Sequence, residues 1–290
     1  MNAPSPDRPL LAVEDLRVDF AGPVGTIHAV RGVGFSLARE KVGIVGESGS
    51  GKSVTGRAIL RLVAAPGRVA ARRLEFDGVD LIGIDERSMR RIRGARIAMV
   101  MQDPKFSLNP VMTVGNQIAE AYLVHHDATR REARSRTLEM LKTVRIRDPE
   151  RVFDAYPHEV SGGMGQRAMI AMMLIPGPDL LIADEPTSAL DVTVQMQVLS
   201  IVDDLVTARG MGLIFISHDL NLVASFCDRV LVMYGGRIVE ECRASELAAA
   251  RHPYTQGLLA ALPRIDDCGR ELAVLKRDPA WLEPVEHMRR

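Results

Sequence analysis

Hydrophobic and polar residues alternate along the first part of the chain and then stop alternating. From Leu11 to Phe20 and from Thr26 to Leu37 the period is close to two, which predicts strands of a partly solvated antiparallel sheet. Farther on, apolar residues come in short unbroken runs: Val42–Val45, Ile97–Met101, Leu180–Ala183, Leu213–Ile216 and Val230–Met233. Such runs, each bounded by turn or helix signals, suit strands covered on both faces of a parallel sheet. Leu74–Phe76 and Val79–Leu81 flank Asp77-Gly78, a pair that supplies the positive φ of a tight hairpin turn.

Between Thr113 and Thr143 the pattern turns helical. Thr129 and Glu132 have the spacing of a capping box, which satisfies free backbone donors at a helix start. Leu138, Leu141 and Val144 follow at three-residue spacing as one apolar stripe. A helical insert is therefore expected between the strands ending at Met101 and starting at Leu180. After Gly235-Gly236 the chain predicts another hairpin, then an Ala-rich helix near Ser245–Ala250. From Arg264 onward it is charged and contains proline, which predicts a loosely ordered tail.

Composition narrows the classes. The 290 residues are 47% hydrophobic and 26% charged, enough to bury a core without disulfides or metals. Lys plus Arg and Asp plus Glu are both 37, so net charge gives no general pull toward nucleic acid or anionic membrane. Cys227, Cys242 and Cys268 lack metal-type spacing and read as unpaired thiols of a reducing compartment. Met1 to Pro9 has no apolar stretch of the signal-peptide kind. The most apolar run, Ala168 to Ile175, ends at Pro176-Gly177-Pro178 and is too short to cross a bilayer.

The chemistry enters at Gly46-Glu47-Ser48-Gly49-Ser50-Gly51-Lys52-Ser53, which fits G-x-x-x-x-G-K-[ST] in full. A buried strand precedes it, and a helical pattern from Val54 to Val63 follows. Glycines let backbone N–H groups turn inward around phosphate oxygens. Lys52 would meet the β and γ phosphates of ATP, and the Ser53 hydroxyl would ligate Mg²⁺. Leu180 to Glu185 is a buried strand ending in two acids. Acids after a strand commonly cap the next helix. Beside a phosphate loop, Asp184 instead reads as the Mg²⁺ carboxylate and Glu185 as the group that polarises the attacking water. A kinase or a GTPase could share these two elements.

Ser161-Gly162-Gly163-Met164-Gly165-Gln166 opens a helical run, and a helix N-terminus with free N–H groups is an anion site. Its place shortly before the two-acid strand resembles the signature sequence of ABC ATPases. Gln102 is similar to their Q-loop residue, Ser188-Ala189-Leu190-Asp191 to their D-loop, and His218 to their switch histidine. The resemblance implies an α/β P-loop NTPase fold: a parallel-sheet core, an N-terminal antiparallel β subdomain and a helical signature subdomain. It also implies that two such domains face each other head to tail. Ser161, Gly162 and Gly163 would then touch ATP held by the partner, and Asp191 would communicate across the dimer. Gln102 would sense Mg²⁺ and the attacking water, His218 would contact the γ phosphate, and Phe20 would stack on adenine or serve as a core residue.

From Leu10 to about Pro263 the chain resembles the ATP-binding subunits of oligopeptide, dipeptide and nickel importers. Gln102-Asp103-Pro104, Ser107-Leu108-Asn109-Pro110, Tyr156-Pro157-His158-Glu159 and His252-Pro253-Tyr254-Thr255 carry this narrower likeness. It implies an ABC ATPase domain over 10–250, with a helical insert over about 103–178, and a family-specific tail over 251–290. It further implies two membrane permeases, a second ATPase, an extracytoplasmic solute-binding protein reached indirectly, and a peripheral location on the cytoplasmic face of the inner membrane. No nucleic-acid partner is expected. Four places depart from the family: Arg39-Glu40-Lys41 is one residue short of its Gly-Glu turn, Gly165 stands where a basic residue is usual, Val160 replaces Leu or Phe, and Pro176-Gly177-Pro178 is more broken than usual. The tail lacks a Cys-rich segment, so no iron–sulfur cluster is expected. A non-transport ABC ATPase acting on DNA or ribosomes and a small-molecule kinase are the competing readings. The kinase leaves Ser161–Gln166 and His218 without a role.

Overall fold

The N-terminal alternation produces a long antiparallel pair, β1 (Leu11–Gly22) and β2 (Gly25–Leu37), in register from Leu11↔Leu37 to Gly22↔Gly25. Leu11, Val13, Leu16 and Val18 of β1 are buried with Val30, Val33, Phe35 and Leu37 of β2, while the Asp15 and Arg17 side chains pair at the surface. The register shifts near Asp15, whose φ of 51° marks a bulge. This computed structural model describes residues 8–23, 25–101, 108–188, 190–262, 278 and 281. They fall into two compact units, one holding the chain up to Gly83 and from Ile214 onward, the other spanning Ile84–Leu213.

In the first unit β1 also receives β4 (Gly67–Ala70) against its second half and β5 (Arg73–Phe76) against its first. β6 (Val79–Asp80) pairs with β5 across Asp77 and Gly78, both at positive φ, so the predicted hairpin is present. These five strands form one sheet. β3 (Lys41–Val45) runs parallel to β10 (Arg229–Tyr234), which returns antiparallel through Gly235-Gly236 into β11 (Arg237–Arg243). The short turn before β3 is tied down by this pair. The Lys41 N–H donates to the Asp228 carboxylate at 2.8 Å, and the Arg229 guanidinium pairs with Glu40 at 2.8 Å.

α1 (Lys52–Ile59) is shorter than the pattern to Val63 suggests. Arg61 adopts φ 53° and Leu62 is 48% exposed, so no buried face remains to continue the helix. The expected Ala-rich helix near Ser245–Ala250 is instead a 3₁₀ helix over Ala244–Ala249. It is too short to nucleate an α-helix, and the Ala244 N–H is fixed to Asp228 O. α8 (Leu220–Phe226) packs against β3, and α9 (Pro253–Ala260) follows the 3₁₀ helix.

In the second unit β7 (Ile97–Val100) and β8 (Leu180–Asp184) are parallel, with every residue buried. The expected run to Met101 stops one residue early, since Met101 is 47% exposed. β9 (Gly212–Ser217), equally buried, carries the chain from this unit into the other. The helices are α2 (Glu86–Ile92), α3 (Val114–His125), α4 (Arg130–Thr143), α5 (Pro149–Asp154), α6 (Gly162–Leu174) and α7 (Val192–Arg209). Thr129 caps α4 by accepting from the Glu132 N–H at 3.2 Å. The buried stripe of α4 runs through Ala133, Thr137, Met140 and Leu141 to Val144. Leu138 lies at its edge, half-buried, because packing against α3 and α6 selects the face bearing the smaller residues.

Gly115 of α3 lies against Phe153 of α5, and a Cβ there would stand 2.1 Å from the Phe153 ring. A methyl group there has to displace the ring or the helix. Gly115→Ala is expected to destabilise the chain by about 1–3 kcal/mol, read as a lower midpoint in urea at an unchanged slope.

Candidate nucleotide site

The first unit presents the phosphate loop between β3 and α1. Gly46 has φ 152° and Gly51 φ 101°, and neither has room for a side chain. A Cβ on Gly46 would lie 2.1 Å from Met233 O, and one on Gly51 2.6 Å from Ala29 O. The Ser50 N–H donates to Glu47 O at 3.2 Å, and the Gly236 N–H donates to Ser50 O at 3.1 Å, so the β10–β11 turn backs the loop. α1 starts with no side-chain cap at Gly51 and no acid in its first turn. Its N-terminus therefore favours an anion through the partial positive charge of the helix dipole.

Lys52 is 5% exposed, and its ammonium donates to Gly46 O at 2.7 Å and Glu47 O at 2.8 Å. A contact with no local signal joins the loop to the tail: the Glu47 N–H donates to the Tyr254 hydroxyl, 3.0 Å away and 207 positions later. His218 follows β9 and is exposed, just before the turn in which the Asp219 N–H donates to Ser217 Oγ and Asp219 caps α8. Phe20 is half-buried on β1, opposite Gly67, where a Cβ would meet its ring at 2.7 Å.

The second unit carries the acids and the signature. Asp184 ends β8 at 3% exposure. Glu185 follows, half-buried at φ 46°, a conformation few non-glycine residues hold and one that recurs at functional sites. Its carbonyl accepts from the Ser188 N–H and hydroxyl at 3.3 and 3.2 Å. Ser161 is the N-cap of α6 and accepts from the Met164 N–H at 3.4 Å. Gly162 has open space where a side chain would sit, whereas a Cβ on Gly163 would meet Val194 of α7 at 2.8 Å. Gln166, 1% exposed, donates to Pro186 O and so ties the signature helix to the segment after the two acids. Asp191 caps α7 by accepting from the Val194 N–H at 3.0 Å. Gln102, with Asp103, Pro104 and Ser107, lies outside the described residues.

Ser53 in the first unit carries a hydroxyl and Asp184 in the second a carboxylate, both hard oxygen donors. Among the described residues no group of three or more His, Cys, Asp or Glu could hold a metal. The Ser53 hydroxyl and the Asp184 carboxylate are each by itself the type of donor that Mg²⁺ takes alongside phosphate and water.

The ABC transporter family model matches residues 30–188, more than half of the chain. The chain belongs to the ABC transporter family. This ABC ATPase is 52% identical over 257 residues to a probable peptide ABC transporter ATP-binding protein of Sinorhizobium fredii, covering 88% of this chain and 77% of the relative. It is 49% identical to the dipeptide transport ATP-binding protein DppD of Haemophilus influenzae, covering 88% and 78%. To the oligopeptide transport ATP-binding protein OppD of Bacillus subtilis it is 48% identical, covering 90% and 74%. Among solved structures it is similar to a dimeric post-hydrolysis state of an ATP-binding cassette bound to ADP and Pi. That likeness has a TM-score of 0.71 and 26% identity, and covers 81% of this chain and 98% of that one.

Because a Cβ on Gly51 collides with a backbone carbonyl, Gly51→Ala has to deform the loop. It is expected to remove most ATP binding in equilibrium titration while the chain still melts cooperatively at a lower temperature.

Proposed function

We propose that this chain is the ATP-hydrolysing subunit of an importer for peptides, working with two membrane permeases on the cytoplasmic face of the inner membrane. The observation that carries this reading is the phosphate loop, with Lys52 folded over it and an uncapped helix behind it, in a chain whose relatives are named as peptide-transport ATP-binding proteins. Among the described residues no helix is long and apolar enough to cross a membrane, which is consistent with the membrane path lying in other subunits. The ABC ATPase domain is taken as 10–250 with its helical insert over about 103–178, and the importer-type tail as 251–290.

Residues Gly46 to Ser53 hold the phosphates through backbone N–H groups, Lys52 neutralises charge on the β and γ groups, and Phe20 stacks on adenine. Ser53, Asp184 and Gln102 are the residues that would hold Mg²⁺, which supplies neutralisation of the phosphate oxygens when bound. Glu185 orients the water that attacks the γ phosphorus, and His218 contacts the γ-phosphate oxygens. Ser161, Gly162 and Gly163 complete the site of a second ATPase, identical or homologous, in a head-to-tail dimer, and Asp191 communicates between the two sites. ATP binding closes the dimer and product release reopens it, so the permeases are driven by the change in ATPase separation. A solute-binding protein outside the membrane delivers the peptide, and no nucleic acid takes part.

Glu185→Gln is expected to keep ATP affinity, to lower steady-state hydrolysis by at least about 100-fold, and to trap a closed dimer visible in size-exclusion chromatography. Normal turnover in that variant removes Glu185 from the role given to it. Lys52→Ala is expected to weaken ATP binding about 10- to 100-fold in a direct titration. Copurification from membranes with two permeases supports the transport reading, and recovery on ribosomes or DNA alone overturns it.

A further inference from the structure

The Gly46–Glu47 peptide unit is held at both of its polar ends. Its carbonyl, Gly46 O, accepts from the Lys52 ammonium at 2.7 Å. Its N–H, on Glu47, donates to the Tyr254 hydroxyl at 3.0 Å. A peptide unit is planar, so its N–H and C=O turn together. The group that fixes the N–H therefore also fixes where Gly46 O stands, and with it one of the carbonyls that anchor Lys52.

Tyr254 is built to hold that position. It is fully buried, at 0% exposure. Its ring packs against Tyr234 of β10 with centroids 4.5 Å apart, and against Trp281 at 5.9 Å. The helix that carries it, α9, is fixed at its start. His252 Nδ1 accepts from the Tyr254 N–H at 3.1 Å, which requires an unprotonated nitrogen, and burial holds this imidazole below the usual histidine range. Glu240, itself 9% exposed on β11, accepts from the backbone N–H groups of Arg251 and His252. The hydroxyl thus reaches the phosphate loop from a segment locked to β10 and β11. Those same strands already back the loop through Met233 O beside Gly46 and the Gly236 N–H on Ser50 O.

We infer that Tyr254 is a positioning residue for the phosphate loop. It sets the orientation of the Gly46–Glu47 peptide, and through it the placement of Lys52, so that phosphate affinity depends on the His252–Thr255 element after the core. This rests on the reading of Gly46–Ser53 as the site of ATP phosphates. Tyr254 touches neither substrate nor reacting atoms in this role and acts only through the loop.

Tyr254→Phe in the full chain removes the hydroxyl and keeps the ring contacts. In the nucleotide-free protein, amide hydrogen exchange of the peptide covering Gly46–Ser53 should rise at least about threefold, because the Glu47 N–H loses its acceptor. Peptides from β1 and β2 should exchange as before, and the melting temperature should stay within about 2 °C. In equilibrium titration ATP and ADP should bind about three- to tenfold more weakly. Adenosine, which has no phosphate, should bind as to the parent chain, and kcat at saturating ATP should fall less than twofold. Unchanged exchange over Gly46–Ser53 overturns the inference whether or not the chain binds ATP. Equal weakening for adenosine and ATP also overturns it, since that is what a general loss of structure produces. A parent chain that binds no ATP refutes the proposed function instead, and the exchange measurement still decides the role of Tyr254.

Discussion

Helix α1 begins with its first N–H groups facing no side-chain cap, and much of the first unit follows from keeping them so arranged. Such a start leaves the positive end of the helix dipole directed at the loop, where it favours an anion. The surrounding contacts hold the loop in place. The β10–β11 turn presses against Ser50 and Gly51, Met233 O closes the space beside Gly46, and Lys52 is turned back onto the loop carbonyls. An acid in the first turn would cap the helix and compete with phosphate, and none is present.

The acids and the signature are held with the same economy in the second unit. β8 delivers Asp184 from a fully buried strand, and the chain then turns through a left-handed Glu185. That conformation costs on the order of 1 kcal/mol or more, and it persists only where neighbours over-determine it. Here the Ser188 hydroxyl and N–H hold its carbonyl, and Gln166 holds the next one. Helix α6 and the turn after β8 are thus joined by one buried side chain, so displacement of α6 is felt one residue beyond Glu185.

Much of this was legible in the sequence because the signals were local. Unbroken apolar runs found β3, β7, β8, β9 and β10, each to within about two residues, and Asp77-Gly78 and Gly235-Gly236 marked their hairpins. The phosphate loop needed only eight consecutive positions. What escaped notice depends on partners far along the chain. α2 was missed because seven mostly charged residues bury only Met89 and Ile92, too few to show a period. The stripe of α4 holds Leu141 and Val144 as expected but has Leu138 only at its edge, since the small Ala133 and the polar Thr137, both fully buried, carry its first turns. The left-handed φ of Glu185 contradicts its propensity, and the Tyr254–Glu47 contact joins positions 207 apart. Neither can be read from neighbours in sequence.

Gly162 shows where the constraints on this chain leave the chain itself. Beyond its chain neighbours and its own helix backbone, no heavy atom lies within 4 Å of where its Cβ would be, and its φ is not one that demands glycine. The next glycine is different, confined by Val194. Selection for folding and expression alone would therefore let position 162 drift to larger residues while holding position 163 small. Any requirement for glycine at 162 comes from outside the fold, whereas position 163 is held small from within it by Val194.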